Sequence, residues 1–505
     1  MQFLIEREIR REAKKRLTQH SKARYLAHKH QVSFRKRTGK APKRAIHTIP
    51  KSWDFHCQFD PRYCLKHAPF LAKGLWRSLS TNNYAPVPAM RSLIPKPAGG
   101  TRIIDAFSIP DAAIARIFLN SLNTRNSKIF SDSSYAYQKN KTPLDAIIRL
   151  KGLLNSQVVF ISQYDFSKYF DSIDHEYLSE LLETQGRFLT THMERCVLRA
   201  IMTHKFELSG AAVEQRDTGI PQGNSLSLFL ANVAAHPLDD QLTKLSGAFA
   251  RFADDSVVVN YRYEDALACA NAFQKFSEQS GVSLNLDKTT GIRMFSAKEA
   301  EMRHIEHFEF LGYKFQRDGL RMGYRAVATI KRRCAKIVYN HLLLHPRRMR
   351  SINRKRLGPG FRDWDLVTCL NELRAYIYGG NNQATINKYL DDKLQIRNLT
   401  GPTSYFCLVE DSEVFRDLDG WLIDIIHRGY AARVALAQSI FKGALRTRIG
   451  NISKKELTEA TWYNFPSVPM ETDVPSFFLA WRAARKSWTR HGLGGVDARG
   501  LEYGY

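Results

Sequence analysis

Asp254 and Asp255 stand side by side in Arg251-Phe252-Ala253-Asp254-Asp255, and the β-branched run Ser256-Val257-Val258-Val259 follows at once. Adjacent carboxylates flanked by apolar residues are costly to desolvate unless a cation meets them. Neighbouring side chains in a strand alternate between faces, so the pair can serve one ion only where a tight turn interrupts the alternation. The plain reading is a solvated hairpin tip, and the chemical one is a divalent-cation site. A second stretch bears on the choice. Residues 158–165 read as an apolar strand that delivers Asp165 at its end, followed by the aromatic-rich turn Phe166-Ser167-Lys168-Tyr169-Phe170. A carboxylate at a buried strand terminus has the same need for a cation or a donor. Asp171 and Asp174 read as helix-start residues ahead of a helix over His175–Glu183.

Composition sets the frame for these groups. A chain of 505 residues has room for about three domains. With 76 Lys and Arg against 49 Asp and Glu, the formal charge of +27 calls for a polyanionic partner, most simply nucleic acid. The seven cysteines are scattered without zinc-ligand spacing and read as reduced core thiols. Met1 to Ile5 turns charged at Glu6, and no apolar run reaches spanning length, so the expected compartment is the cytoplasm, with no membrane partner.

The elements that must position the carboxylates can be read in order. Residues 7–44 are densely basic, with a helix-forming first part, the triplet Arg35-Lys36-Arg37 and a linker at Thr38-Gly39-Lys40-Ala41-Pro42; this is read as a nucleic-acid clamp. Short helices are expected between Trp53 and Trp76. Residues 90–105 read as two strands joined at Gly99-Gly100, flanked by Lys96 and Arg102, a basic hairpin suited to a triphosphate. Asp111 is expected to cap a helix running to about Leu122. Tyr135 and Tyr137 lie in a polar-aromatic loop, where packing and base stacking are both open. Thr218-Gly219-Ile220-Pro221-Gln222-Gly223 opens a helix at about Leu228, its glycines suited to close approach of a ligand and Gln222 offering a donor and an acceptor. A helix over Tyr263–Ser280 leads to Leu284 through Thr289, and Phe308 to Phe315 reads as a strand pair bent at Gly312. Next, Val327, Ile330, Cys334, Ile337 and Val338 form one apolar helical stripe, with Lys331, Arg332, Arg333 and Lys336 around it. Trp421 to Ile426 mark a further helix.

Taken in order, residues 93–315 resemble the sequence blocks of bacterial reverse transcriptases, of the branch that includes group II intron, retron and defence-associated enzymes. The resemblance implies an α+β fold, a right-hand polymerase with fingers, an antiparallel-sheet palm and a helical thumb, plus a helical C-terminal region. It divides the chain into a basic arm (1–50), fingers (51–155), palm (156–320), thumb (321–400) and C-terminal extension (401–505). It implies RNA-directed DNA synthesis with two Mg²⁺ ions, Mn²⁺ being a substitute, held by Asp165, the Phe166 carbonyl, Asp254 and Asp255. Lys96, Arg102, Phe170, Gln222 and Lys288 fall at nucleotide-contacting positions, Phe170 as the gate against a ribose 2′-hydroxyl. Phe310-Leu311-Gly312-Tyr313 resembles the primer grip, while Arg35, Lys36, Arg37, Lys331, Arg332 and Lys336 are assigned to nucleic acid.

Two residues depart from the pattern. Phe252 stands where Tyr is usual, and Ser227-Leu228 stands for Ser-Pro. The retron hallmarks Asn-Ala-x-x-His and Val-Thr-Gly are absent, as is a zinc-type nuclease domain. The subgroup this leaves is a stand-alone enzyme of the abortive-infection or defence-associated kind, with a noncoding RNA, dNTPs and a DNA product as partners and self-association left open. Two other readings stand beside it: template-independent or protein-primed synthesis by the same palm, with Tyr503 or Tyr505 as primer, and a non-catalytic RNA-binding scaffold.

Overall fold

The computed structural model describes residues 1–42, 49–96, 99–154, 159–184, 187–208, 210–245, 248–296, 304–357, 363–441, 450–459, 462–464, 468–470 and 473–498. Lys43, Arg44, Tyr503 and Tyr505 therefore lie outside the described residues. The chain has a mixed α+β fold of antiparallel sheet regions and flanking helices, with a helical C-terminal region. It divides into two compact units, one built from residues 1–24 and 47–306, the other from 25–46 and 307–503.

The first unit carries, along the chain, β1 (Ala89–Pro95), β2 (Thr101–Ala106), β3 (Val159–Asp165), β4 (Lys205–Leu208), β5 (Glu214–Gln215), β6 (Phe249–Phe252), β7 (Asp255–Asn260), β8 (Thr290–Phe295) and β9 (His304–Ile305). One sheet has the order β2-β1-β4-β5 and the other β6-β7-β3-β8-β9. In the second sheet β7 lies inside, between β6 and β3, and its Val257, Val258 and Val259 are fully buried, as a β-branched run covered on both faces should be. The helices Leu226–Leu245 and Tyr263–Ser280 share with that sheet a core that includes Phe229, Phe249, Val258 and Phe273.

Several expectations hold to the residue. The helices His175–Glu183 and Tyr263–Ser280 have the bounds read from their patterning. Gly99 and Gly100, at φ 94° and 78°, close the β1–β2 hairpin in the left-handed region that favours glycine. Others need correction. The helix Ile109–Asn126 is capped by Ser108, not Asp111. Asp111 sits three residues on, where its buried carboxylate accepts from Ser108 Oγ, Tyr84 Oη and Val87 N, and burial pushes its pKa up to about 6. The basic N-terminal segment, in keeping with its helix-forming composition, is one helix, Gln2–Thr38, that stops at the expected linker, and Ile5, Ile9 and Ala13 on its first half join the core of the first unit. Of the cysteines, Cys57 is exposed and Cys196 half-buried, so the reading of core thiols holds only for the other five.

The second unit contains a three-stranded antiparallel sheet of β10 (His307–Phe310), β11 (Tyr313–Gln316) and β12 (Gly319–Met322), and is otherwise largely helical. The helix Tyr324–Tyr339 buries Ile330, Cys334, Ile337 and Val338, leaves Val327 half-buried, and exposes Arg332, Arg333 and Lys336. Lys331 lies over the Trp421 ring of the helix Glu413–Phe441. At the centre, Arg433 is fully buried between Asp363 and Asp365, its Nη2 donating to Asp365 Oδ2 at 2.8 Å. The guanidinium and the two carboxylates need one another in a dry interior.

Candidate active site

The geometry starts from two strand pairings. Phe252 and Asp255 are partners across β6 and β7, so Ala253 and Asp254 form a two-residue hairpin loop, and Ala253 takes a left-handed φ of 58°. This is the tight turn that the adjacent carboxylates require. On the other side of β7, Asp255 is the cross-strand partner of Asp165 at the end of β3. Directly opposed residues of an antiparallel pair project to one face, so Asp165 and Asp255 sit side by side with Asp254 on the adjoining turn.

Like charges placed opposite one another repel. The pKa of Asp254 is pushed up by burial first and by the charge of Asp165, against the positive charges of Lys288 and Arg102. Asp165 meets two donors from the segment before β8: Lys288 Nζ at 3.0 Å and Asn285 Nδ2 at 2.9 Å. The same segment pins the strand end by backbone, Asn285 N donating to Asp165 O and Ser167 N to Ser283 O, on either side of Phe166. Asn285 was not among the expected site residues, and a lone Asn in a polar loop gives no signal by which to find it.

Arg251 holds the hairpin from below. Its guanidinium is 1% exposed and donates to both oxygens of Asp239, at 2.7 and 2.6 Å, to Ser134 Oγ at 2.8 Å and to the carbonyl of Ala253 at 3.0 Å. The backbone of Arg251 also pairs with Ser133 and Tyr135, which ties the polar-aromatic loop to the turn. Tyr135 is consequently packed inside, whereas Tyr137 is half-buried and meets the Phe170 ring edge to face at 6.2 Å. Burial, with the charge of Asp254 adding, pushes the Tyr137 hydroxyl up to about 12.

The glycines on either side of Gln222 serve a different end from the one their type suggests. A Cβ on Gly219 would lie 2.5 Å from the backbone of Asp171, and one on Gly223 2.6 Å from the carbonyl of Asp105. The glycines thus let this loop close on the chain itself, at φ 72° and 120°. Asp105 N donates to Gln222 O at 2.8 Å, and Ile220 N donates to Phe170 O at 2.6 Å, so one loop links β2 to the segment that carries Phe170. The Gln222 side chain makes long contacts with the Asp171 carboxylate, 3.3 and 3.4 Å, and burial raises the Asp171 pKa against Arg216, Gln222 and Lys96. Asp174 is the N-cap expected of it, whereas Asp171 lies inside the short helix Tyr169–Ser172. Lys96 is exposed at the β1–β2 hairpin.

The remaining assignments fall in the second unit. Phe310 and Tyr313 are buried, and they anchor a two-residue turn in which Leu311 and Gly312 have φ of 47° and 82°. Tyr405 Oη donates to Leu311 O at 2.9 Å. Arg35 and Lys36 are exposed, but Arg37 is not: it is 6% exposed and donates to Asn340 O, with His341 Nδ1 at 2.6 Å. Its place among the nucleic-acid contacts is corrected, since a guanidinium consumed by buried internal acceptors has no reach to a phosphate.

Among the described residues, no group of three or more His, Cys, Asp or Glu side chains is gathered so as to hold a metal ion. The donor chemistry nevertheless fits a hard cation. Two like charges share one face, Asp254 is raised by burial and then by the charge of Asp165, and the Lys288 ammonium stands on Asp165 where positive charge is wanted.

Residues 94–315 match the family model described as reverse transcriptase (RNA-dependent DNA polymerase). Protein YkfC of Escherichia coli is 25% identical over 285 residues, covering 50% of this chain and 73% of that protein. The COX1/OXI3 intron 2 protein of Saccharomyces cerevisiae is 27% identical over 175 residues, 33% of this chain and 19% of its own length. Among solved structures, telomerase from Candida albicans with a fragment of telomeric RNA aligns at 12% identity and a TM-score of 0.38, covering 72% of this chain and 65% of that one. Apo telomerase from Candida tropicalis aligns at 14% identity and a TM-score of 0.36, covering 55% and 73%. The chain carries a reverse-transcriptase-like palm domain.

Proposed function

We propose that this chain, built around a reverse-transcriptase-like palm, is an RNA-directed DNA polymerase whose catalytic carboxylates are Asp165, Asp254 and Asp255. The observation that carries the reading is the pairing of Asp165 with Asp255 across β3 and β7, with Asp254 on the turn beside them. Two Mg²⁺ ions, when bound by these carboxylates and the Phe166 carbonyl, supply activation of a primer 3′-hydroxyl and neutralisation of the leaving pyrophosphate. Lys288, with Lys96 and Arg102, would offer positive charge to the triphosphate. Gln222 and Phe170 bound the sugar and base, and Phe310 to Tyr313 serve the primer. Residues 51–155 act as fingers, 156–320 as palm and 321–400 as thumb, with 401–505 as an added helical region. Arg35, Lys36, Lys331, Arg332 and Lys336 contribute to phosphate neutralisation.

The template is, in this reading, a noncoding RNA bound by the protein itself, and the role is antiphage defence in the cytoplasm. The +27 charge supports a polyanionic partner. Sequencing the RNA and cDNA that copurify with wild type and with Asp254→Ala tests it: one RNA common to both and cDNA only in wild type is expected, whereas cDNA in both contradicts the site.

The gate has its own test. Phe170 is held by Ile220 N on its carbonyl and by Tyr137 at its ring. Phe170→Ala should raise ribonucleotide use relative to deoxyribonucleotide use by roughly 10- to 200-fold, the range of a small steric discrimination. An unchanged ratio in single-nucleotide incorporation assays removes Phe170 from the gate.

A further inference from the structure

Tyr137 has a φ of 62°, in the left-handed region that bulky side chains avoid. Such a backbone costs free energy and persists only where the surroundings fix it. Asn232, 2% exposed on the helix Leu226–Leu245, donates from Nδ2 to the carbonyl of Ala136 at 3.0 Å, and Gln138 Nε2 donates to Ser134 O at 2.8 Å. Lys141 Nζ reaches back to the carbonyls of Ser131 and Ser134, at 2.9 and 3.1 Å. Both neighbours of Tyr137 are thus tied down, and the ring presented between them is half-buried.

What this ring meets is Phe170. The two stand edge to face, with centroids 6.2 Å apart and planes at 82°, and Tyr169 meets Phe170 in the same way at 5.9 Å and 88°. One helix holds both arms of the arrangement. Tyr169 Oη donates to Ala231 O at 2.7 Å, and the next residue, Asn232, holds the loop of Tyr137. Phe170 is half-buried, so the core does not enclose its ring, and the two aromatic edges restrict where it can turn. The Tyr137 hydroxyl also feels the charges of Asp254, Arg251 and Arg102, so the same ring lies beside the candidate carboxylates.

We propose that Tyr137 is a positioning residue for sugar selection: without touching the nucleotide, its ring holds the Phe170 ring where a ribose 2′-hydroxyl would fall, and so sets the ratio of ribonucleotide to deoxyribonucleotide use. The inference rests on the polymerase reading and on Phe170 as its gate. It differs from stacking on a template base, which acts alike on both sugars. It differs also from a purely structural role, whose loss lowers both activities together.

Single-nucleotide incorporation on a primed RNA, with Mg²⁺ and either a dNTP or its ribose counterpart, is measured for the full-length wild type, Phe170→Ala, Tyr137→Phe, Tyr137→Gly and Tyr137→Asn. Gly and Asn both remove the ring and both tolerate the left-handed backbone, and circular dichroism checks that each variant folds. Tyr137→Phe keeps the aromatic edge and should keep the wild-type ratio of kcat/KM values. Tyr137→Gly and Tyr137→Asn should raise ribonucleotide use relative to deoxyribonucleotide use by about tenfold or more, the lower end of a small steric discrimination. In the Phe170→Ala background the same changes should add nothing, since no ring is left to position. A raised ratio in Phe170→Ala beside wild-type ratios in folded Tyr137→Gly and Tyr137→Asn overturns the inference and leaves the gate standing. A further rise when either change is added to Phe170→Ala overturns positioning through Phe170. An unchanged ratio in Phe170→Ala removes the gate and the inference together.

Discussion

Replacing Arg251 with Met should lower the unfolding free energy by about 3–5 kcal/mol, the effect of stripping one partner from a buried ion pair. Asp239 is fully buried, and both of its oxygens accept from Arg251. Without the guanidinium its charge has no counterpart, and the Ala253 carbonyl and Ser134 hydroxyl lose a donor as well. Met fills similar volume, so the loss reports charge and hydrogen bonding more than a cavity. Urea titration by far-ultraviolet circular dichroism gives the midpoint. The double variant Arg251→Met with Asp239→Leu should recover much of the loss, because an apolar pair of similar volume leaves no stranded charge. A single variant as stable as wild type would show that Arg251 does not brace the hairpin.

Asp254→Asn should separate activity from stability. Incorporation of dNTPs should fall by roughly 10²–10³-fold or more, the scale for loss of one preorganised electrostatic group at a reacting centre. Stability should move the other way. Burial and Asp165 raise the folded pKa of Asp254 above its unfolded value, so the folded state binds more protons between the two values. In metal-free buffer the wild type should therefore lose stability as pH rises from about 3.9, the ordinary Asp value, through the raised folded value. The Asn variant lacks that loss. Its denaturation midpoint should match wild type below this window and exceed it above. A variant less stable than wild type at neutral pH without metal would contradict the cost of holding the Asp254 charge buried beside Asp165.

What could be read in advance follows the range of the interactions involved. The Ala253-Asp254 turn, β3 ending at Asp165, and the helices His175–Glu183 and Tyr263–Ser280 rest on local alternation and helical periodicity. The Ser108 cap was also readable: Ser108-Ile109-Pro110-Asp111 places a Ser three residues before an acid, with Pro in the first helical turn, which favours Ser over Asp as the cap. Arg37 is a different case. Its neighbours Arg35 and Lys36 are exposed, and only a partner 304 positions away, His341, decides that Arg37 turns inward. Arg251 likewise looks like an ordinary basic residue until folding brings Asp239 and Ser134 to it. Gly219 and Gly223 show the limit of reading a residue type: small size was evident, but whether a ligand or the backbones of Asp171 and Asp105 occupied the space was a tertiary fact.

The central claim is that the carboxylates on β3 and at the β6–β7 turn copy RNA into DNA. A primer annealed to an RNA of defined sequence, with dNTPs and either Mg²⁺ or EDTA, is extended by wild type and by Asp254→Asn, and the products are sequenced. A Mg²⁺-dependent product complementary to the RNA, absent with the variant, is the predicted result. No product from wild type, a product unrelated to the template, or undiminished extension by Asp254→Asn would contradict it.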